Sequence, residues 1–328
     1  MPFSSRLALL WVVVLAGFVA ALCLGARDYS PAILWTVLSA YDPGDQAQAI
    51  IAGMRLPRAA AALVVGAALA VAGVVMQAVA RNPLADPGLT GVNAGAALLV
   101  VSGLFIFGTL PQSIIAGLAL SGAAIAAVLV RLLAGGGDNT LRLPLAGAAF
   151  ATLCMSIVAL IVLLDPEARG IYRFWMVGSL AVAQVETLTA LTPVILLGIA
   201  IAALAARQIE TLMLGAEMGS ALGLNVGRVL SLGLAAVALT AGASVAIAGP
   251  VGFIGLIAPH LARRAFPLAS LPQQVVLACP VGAGLALYAD LAGRWFARPA
   301  EVQLGLVLAM IGAPVFMILV RRMLREAA

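Results

Sequence analysis

The sequence contains no lysine; all 18 of its basic side chains are arginine. That absence removes two classes of chemistry. A Walker A nucleotide loop needs lysine to reach the β and γ phosphates, and a Schiff-base enzyme needs a free amine. If ATP powers this protein, another subunit hydrolyses it. Histidine is scarce as well, with His260 alone, and Cys23, Cys154 and Cys279 each sit in an apolar run with no CxxC pair. Such spacing offers no zinc site, and the cysteines read as packing residues. Charge is the third shortage. Charged residues make up 9% of the chain and hydrophobic ones 64%, whereas a soluble domain is roughly a quarter charged.

What is present is a series of long apolar runs. A helix needs about 20 residues to cross a ~30 Å hydrocarbon layer, and ten runs of about that length follow one another. They cover 7–25, 57–80, 92–109, 113–133, 143–164, 188–206, 229–248, 250–266, 274–292 and 302–320. The seventh and eighth form one stretch from Val229 to Leu261, too long for a single crossing without extreme tilt, and Gly249, Pro250 and Gly252 divide it. The first run follows Arg6 and reads as a retained span, since it exceeds the apolar core of a secretory signal. The expected fold is therefore all-α: one polytopic membrane domain over residues 1–328, surrounded by the lipid bilayer. With ten crossings both termini share a side, and placing them in the cytoplasm puts 11 arginines inside against 7 outside, as the positive-inside rule requires. Arginines spread over span ends report orientation, and no clustered basic patch points to nucleic acid. Gly and Ala fill the spans, as in GAALAVAG from Gly66 to Gly73, and small residues let helices approach closely in lipid.

Ionisable residues at mid-span mark ion and proton pathways, and this chain has essentially none. Asp290 falls near the outer end of the ninth run, and His260 in the inner half of the eighth, ahead of Arg263 and Arg264. This pattern opposes an ion-coupled secondary transporter. It equally leaves a membrane enzyme without a general acid and base. His260, after Pro259 and with no second ligand near it, reads as structural and not as a haem ligand.

Five short motifs remain: RLPR (55–58), RNPLADPGLTG (81–91), FWMVGSL (174–180), GPVGFIGLIAPH (249–260) and GAPV (312–315). In this order, over roughly residues 50–320, they closely resemble the permease subunits of type II ABC importers, a family that takes up iron–siderophore complexes, haem and vitamin B12. The resemblance implies the type II importer permease fold with about ten transmembrane helices, in the bacterial inner membrane. It implies a homodimer, two ATP-binding cassette subunits on the cytoplasmic side and a periplasmic substrate-binding protein, with no permanently bound cofactor. ATP is then used by the partner subunit. Carried residue by residue, Arg55, Arg58 and Arg294 match positions that meet acidic residues of the binding protein. The segment 211–225 resembles the coupling helices, with Leu214, Glu217, Met218 and Leu222 facing the ATPase. Asn82, Leu84, Asn139 and Thr140 match the cytoplasmic gate, and the fifth span and the segment to Leu180 resemble elements lining the pathway. RNPLADPG and FWMVGSL look like the haem branch, which makes haem the expected cargo ahead of iron siderophores and cobalamin.

Overall fold

Backbone polar groups in lipid have no water to bond, and a helix satisfies them within one segment. The computed structural model describes residues 3–25, 27–135 and 142–326, and among these it contains helices and no strand. In chain order α1 is Phe3–Cys23, α2 Ala32–Ser39 and α3 Gln46–Ile50, which continues through one π turn, Ile51–Arg55, into α4, Leu56–Val79. After a 3₁₀ turn at Pro87–Thr90 come α5 Val92–Phe107, α6 Gln112–Leu133, α7 Arg142–Leu164 and α8 Pro166–Trp175. A second 3₁₀ turn, Leu180–Val182, leads to α9 Val185–Leu212, α10 Ala216–Ala221, α11 Val226–Ala248, α12 Ile254–Ala265, α13 Leu271–Phe296 and α14 Leu304–Glu326.

Ten of these helices coincide with the ten expected spans, and α2, α3, α8 and α10 are short helices in the connections. Most ends shift by a few residues, up to six at the end of α9 and of α14, and two spans differ in kind. The second span starts earlier, because Gln46–Val79 forms one helical stretch of 34 residues; the π turn widens the helix without breaking it. The eighth is shorter: α12 has 12 residues, about 18 Å at 1.5 Å per residue, too little to cross. Gly249, at φ 71, ends α11, and the chain runs on through Pro250 and Gly252 until Phe253, at φ 68, starts α12. Among the described residues seven helical stretches are long and apolar enough to span a membrane.

The long α4 is the axis of the bundle, packed on α13, α11, α12, α9 and α1. Small residues make this possible. A Cβ on Gly66 would overlap the Gly282 carbonyl of α13, and one on Gly73 would overlap the Gly255 carbonyl of α12. Gly95 and Gly122 bring α5 and α6 together in the same way. By contrast α7 leaves most of its apolar surface uncovered, as do the outer faces of α1 and α9.

Two opposite faces are fixed by cross-contacts. On the near face, where α1 starts, the Phe3 ring packs edge-on against Phe266 at 5.9 Å between centroids, and Glu210 Oε1 accepts from the Leu271 amide at 2.9 Å. On the far face Arg298 pairs with Asp28 at 2.7 Å, tying the end of α13 to the α1–α2 connection.

Candidate functional site

The far face holds all three arginines expected to dock a binding protein, and the structure places them in one cluster. A helix C-terminus leaves its last carbonyls without partners, and those of α1 are supplied from α3–α4 and α13. Arg55 Nη1 donates to the Leu22 and Cys23 carbonyls, both at 2.9 Å, while Nη2 donates to the Arg27 carbonyl. Its guanidinium also lies over the Tyr29 ring, 4.7 Å from the centroid. Arg294 Nη1 donates to the carbonyls of Ala21 at 3.1 Å and Leu24 at 3.2 Å. Cations at this end also oppose the negative pole of the α1 dipole.

Asp290 joins the arginines to each other. Arg58 Nε reaches both its carboxylate oxygens at 3.1 Å and Nη2 reaches Oδ1 at 2.9 Å. Arg294, one turn further along α13, approaches Oδ2 with Nε at 3.1 Å, a charge contact without hydrogen-bond alignment. The remaining Arg58 nitrogen, Nη1, pairs with Glu301. Arg55 and Arg294 are 9% and 3% exposed, so neither presents its guanidinium outward. Within this cluster Glu301, with 41% of its side chain exposed, is the group that a partner meets first.

The near face carries the residues expected to gate and to couple. Asn82 follows Arg81 in the turn after α4; its Oδ1 accepts from the Leu84 amide at 2.9 Å, and its own amide donates to the Gln77 carbonyl at 3.0 Å. This Asx turn, together with Pro83 and Pro87, makes the loop stiff. Asp86 continues the pattern by accepting from the Gly88 amide at 2.8 Å, capping the 3₁₀ turn. Leu84 borders a cleft of about 360 Å³ shared with Phe253, Leu256 and Phe316. Asn82 borders another, of about 390 Å³, with Arg81, Met213, Arg263 and Gln274. The other two expected gate residues, Asn139 and Thr140, lie outside the described residues.

The segment 211–225 folds as the short helix α10 between two left-handed glycines, Gly215 at φ 123 and Gly223 at φ 84. Its apolar side chains point away from the bundle. Leu214 is 71%, Met218 53% and Leu222 62% exposed, and Glu217 is exposed beside them. Only Gly219 of this helix is buried.

The remaining motifs are packing junctions. The Trp175 carbonyl lies where a Cβ on Gly249 would stand, Ser179 N donates to the Ala248 carbonyl at 2.7 Å, and Gly305 N donates to the Gly178 carbonyl at 3.1 Å. FWMVGSL is thereby locked to GPVG and to the start of α14 through backbone alone. Gly312 of GAPV makes room for the Phe253 ring. His260 is half-buried on α12. Sequence reasoning did not reveal the left-handed Arg81 and Phe253, nor the pairing of Asp290 with two arginines. Asp290 was visible only as an acid near a span end, and nothing in the motifs marks the two backbone positions.

Comparison with known proteins places the chain in a family of transport permeases. The model of the FecCD transport family matches residues 12–322. The ferric enterobactin transport system permease FepD of Escherichia coli is 40% identical over 317 residues, covering 94% of this chain and 92% of that protein. The hemin transport system permease HmuU of Yersinia pestis is 37% identical over 305 residues, covering 91% and 90%. A solved inward-facing structure of a proposed metal-chelate type ABC transporter superposes with a TM-score of 0.86 at 28% identity, covering 97% of this chain and 99% of that one. Ten helices in the expected order, the exposed α10 and a family match over nearly the whole length lead to one conclusion: the chain is a multi-pass membrane permease and belongs to the FecCD transport family.

Proposed function

We propose that this chain is the membrane permease of an ATP-driven importer of ferric iron complexes. It works as a homodimer in the bacterial inner membrane, with the near face in the cytoplasm. Two separate ATP-hydrolysing subunits dock there, and a periplasmic binding protein delivers cargo to the far face. The observation that carries the energy-coupled reading is the connection built around α10, where Leu214, Met218 and Leu222 are exposed and nothing among the described residues covers them. Exposed apolar side chains on a stiff, short helix suit insertion into a partner's groove, and Glu217 suits a basic residue beside it. Asn82 and Leu84 form the cytoplasmic gate in this reading, with Asn139 and Thr140 completing it.

Docking at the far face takes a modified form. Arg55 and Arg294 hold the α1 terminus, and a partner's carboxylate reaches Arg58 by displacing Glu301. Guanidinium–carboxylate exchange of this kind conserves charge-assisted hydrogen bonds.

For the cargo, ferric siderophores come first. The enterobactin permease is as close to this chain as the hemin permease, so the RNPLADPG and FWMVGSL wording does not single out haem. Haem is the second reading, supported by the 37% identity to the hemin permease. The deciding experiment measures uptake into vesicles holding this chain with its ATPase and binding protein, offering ferric enterobactin, ferric citrate, haemin and cobalamin separately. Uptake of an iron chelate that stops with a hydrolysis-dead ATPase is the expected result. Uptake without the ATPase overturns the mechanism, cobalamin uptake alone overturns the iron cargo, and haemin uptake alone reverses the order of the two iron readings.

A further inference from the structure

At one corner of the near face α1 begins beside the connection from α12 to α13. Phe3, Phe266, Pro267 and Leu268 wall a cleft of about 240 Å³ there; its polar side chains are Arg6 and Gln273, and none of its lining residues is acidic. The Arg6 guanidinium lies over the Phe266 ring, 5.5 Å from the centroid, and Nη1 donates to the Ala265 carbonyl at 3.4 Å. That long bond caps the end of α12 and uses one of the five guanidinium hydrogens. Nε and Nη2 donate to no group among the described residues. Gln273 completes a capping box at the start of α13, its Oε1 accepting from the Ser270 amide at 3.0 Å. Because the cap fixes which end of this side chain is oxygen, Nε2 is a donor, and it too has no acceptor among the described residues.

Two donor groups thus border one cleft without an anion to receive them. Arg264, exposed and next to Ala265 in the chain, adds positive charge, while Glu210, the acid that reaches this connection, already accepts from the Leu271 amide. The surroundings are apolar. Leu268 is fully exposed, and Leu9 and Val13, which follow Arg6 on the same side of α1, are 57% and 45% exposed. We propose that this corner binds the headgroup of an anionic phospholipid, with Arg6 and Gln273 holding the phosphate and an acyl chain lying along Leu9 and Val13. Guanidinium and phosphate make charge-assisted, bidentate hydrogen bonds. Phosphatidylcholine also carries a phosphate, but its trimethylammonium group would add a cation beside Arg6 and Arg264, so selection falls on lipids of net negative charge. A lipid held in this way ties α1 to the connection between α12 and α13. The site involves neither cargo nor ATP, so it stands or falls separately from the importer reading.

The test uses the full chain in detergent, stripped of lipid and titrated with phosphatidylglycerol or phosphatidylcholine of the same acyl chains, with bound lipid counted by native mass spectrometry. The expected result is that the first phosphatidylglycerol binds at least about fivefold more tightly than phosphatidylcholine, the contribution of one basic residue near an anionic surface. Arg6→Gln should bring the ratio close to one, and Arg6→Lys should keep part of the preference. Gln273→Glu is the discriminating variant, because glutamate preserves the capping box while replacing the donor with a negative charge; it should abolish the preference with the fold intact. An unchanged ratio in Arg6→Gln or Gln273→Glu overturns the proposal. So does an equal loss in Arg228→Gln, which removes an exposed arginine at the start of α11 and would make the effect one of overall charge. Displacement of phosphatidylglycerol by inorganic phosphate at equal concentration would show a phosphate site that needs no lipid, and also overturns it.

Discussion

Arg58 on α4 and Asp290 on α13 close the far face with three hydrogen bonds, from Nε to both carboxylate oxygens and from Nη2 to Oδ1. Arg294 adds its charge to the same carboxylate. One buried acid thus compensates the buried Arg294 and the partly buried Arg58 at the junction of α1, α4 and α13. Removing one member of a buried ion group leaves the others uncompensated and costs about 3–5 kcal/mol. Asp290→Ala is therefore expected to lower the thermal stability of the detergent-solubilised protein strongly, measured as the temperature at which the monodisperse peak is lost. Arg58→Met/Asp290→Leu/Arg294→Met should recover much of the loss, because no buried charge is left unpaired; Glu301, which loses Arg58, is exposed to water. A triple variant as unstable as the single one would show that the cluster's hydrogen bonds to α1 matter more than its charge balance.

Close helix approach depends on particular glycines and not on glycine content. Gly73→Ala drives a methyl group into the Gly255 carbonyl and is expected to cost about 1–3 kcal/mol, the usual penalty of overpacking. Gly117, on the exposed side of α6, has open space at its Cβ position, so Gly117→Ala should be neutral. Thermal unfolding of the two variants side by side checks the distinction.

Phe253 and Gly312 are a matched pair. A Cβ on Gly312 would overlap the Phe253 ring, so Gly312→Ala should destabilise the junction of α12 and α14. Adding Phe253→Ala should relieve the clash, giving a favourable interaction term of about 0.5–3 kcal/mol in a double-mutant cycle. Additive effects would mean that the ring leaves Gly312 without cost.

Met218→Glu on α10 and Leu222→Glu directly after it change exposed side chains and should leave the fold intact. If this surface fills a groove on the ATPase, burying a carboxylate there should weaken co-purification of that subunit by at least about tenfold, a shift typical of an interface hot spot. Unchanged recovery would place the docking surface elsewhere.

On the far face, the Gly25 amide and Arg298 hold the Asp28 carboxyl below the usual carboxylate range. A group whose folded pKa is depressed stabilises the fold above its unfolded value, about 3.9 for aspartate, and loses that contribution as pH falls through the folded value. The tie between Asp28 and Arg298 should hold at neutral pH and open only under acid conditions. Hydrogen exchange at the Gly25 amide, corrected for its intrinsic rate, should show protection lost in that window for the wild type and absent throughout in Asp28→Ala.

The order of the apolar helices was legible in the sequence because lipid favours long apolar helices, and that constraint acts locally on each run; seven of the helical stretches among the described residues are long enough to span. Membership of the permease family was legible because its motifs lie at connections and breaks, where backbone geometry demands particular residues. The expected second span missed α3 because a π turn carries helix through Ile51–Arg55 with no interruption of composition to mark its start. The expected eighth span proved to be an extended stretch followed by a short helix; composition records that a segment is apolar, not whether its backbone is helical. Arg55 and Arg294 show the same limit at the level of a site. Their chemistry suits an acidic partner, and sequence places them at helix ends, but only tertiary packing brings the last carbonyls of α1 within their reach. The sequence by itself determined a membrane bundle of apolar helices and the order in which they follow one another. The tertiary structure decided where each charge is spent, because burial and pairing depend on residues up to 273 positions apart.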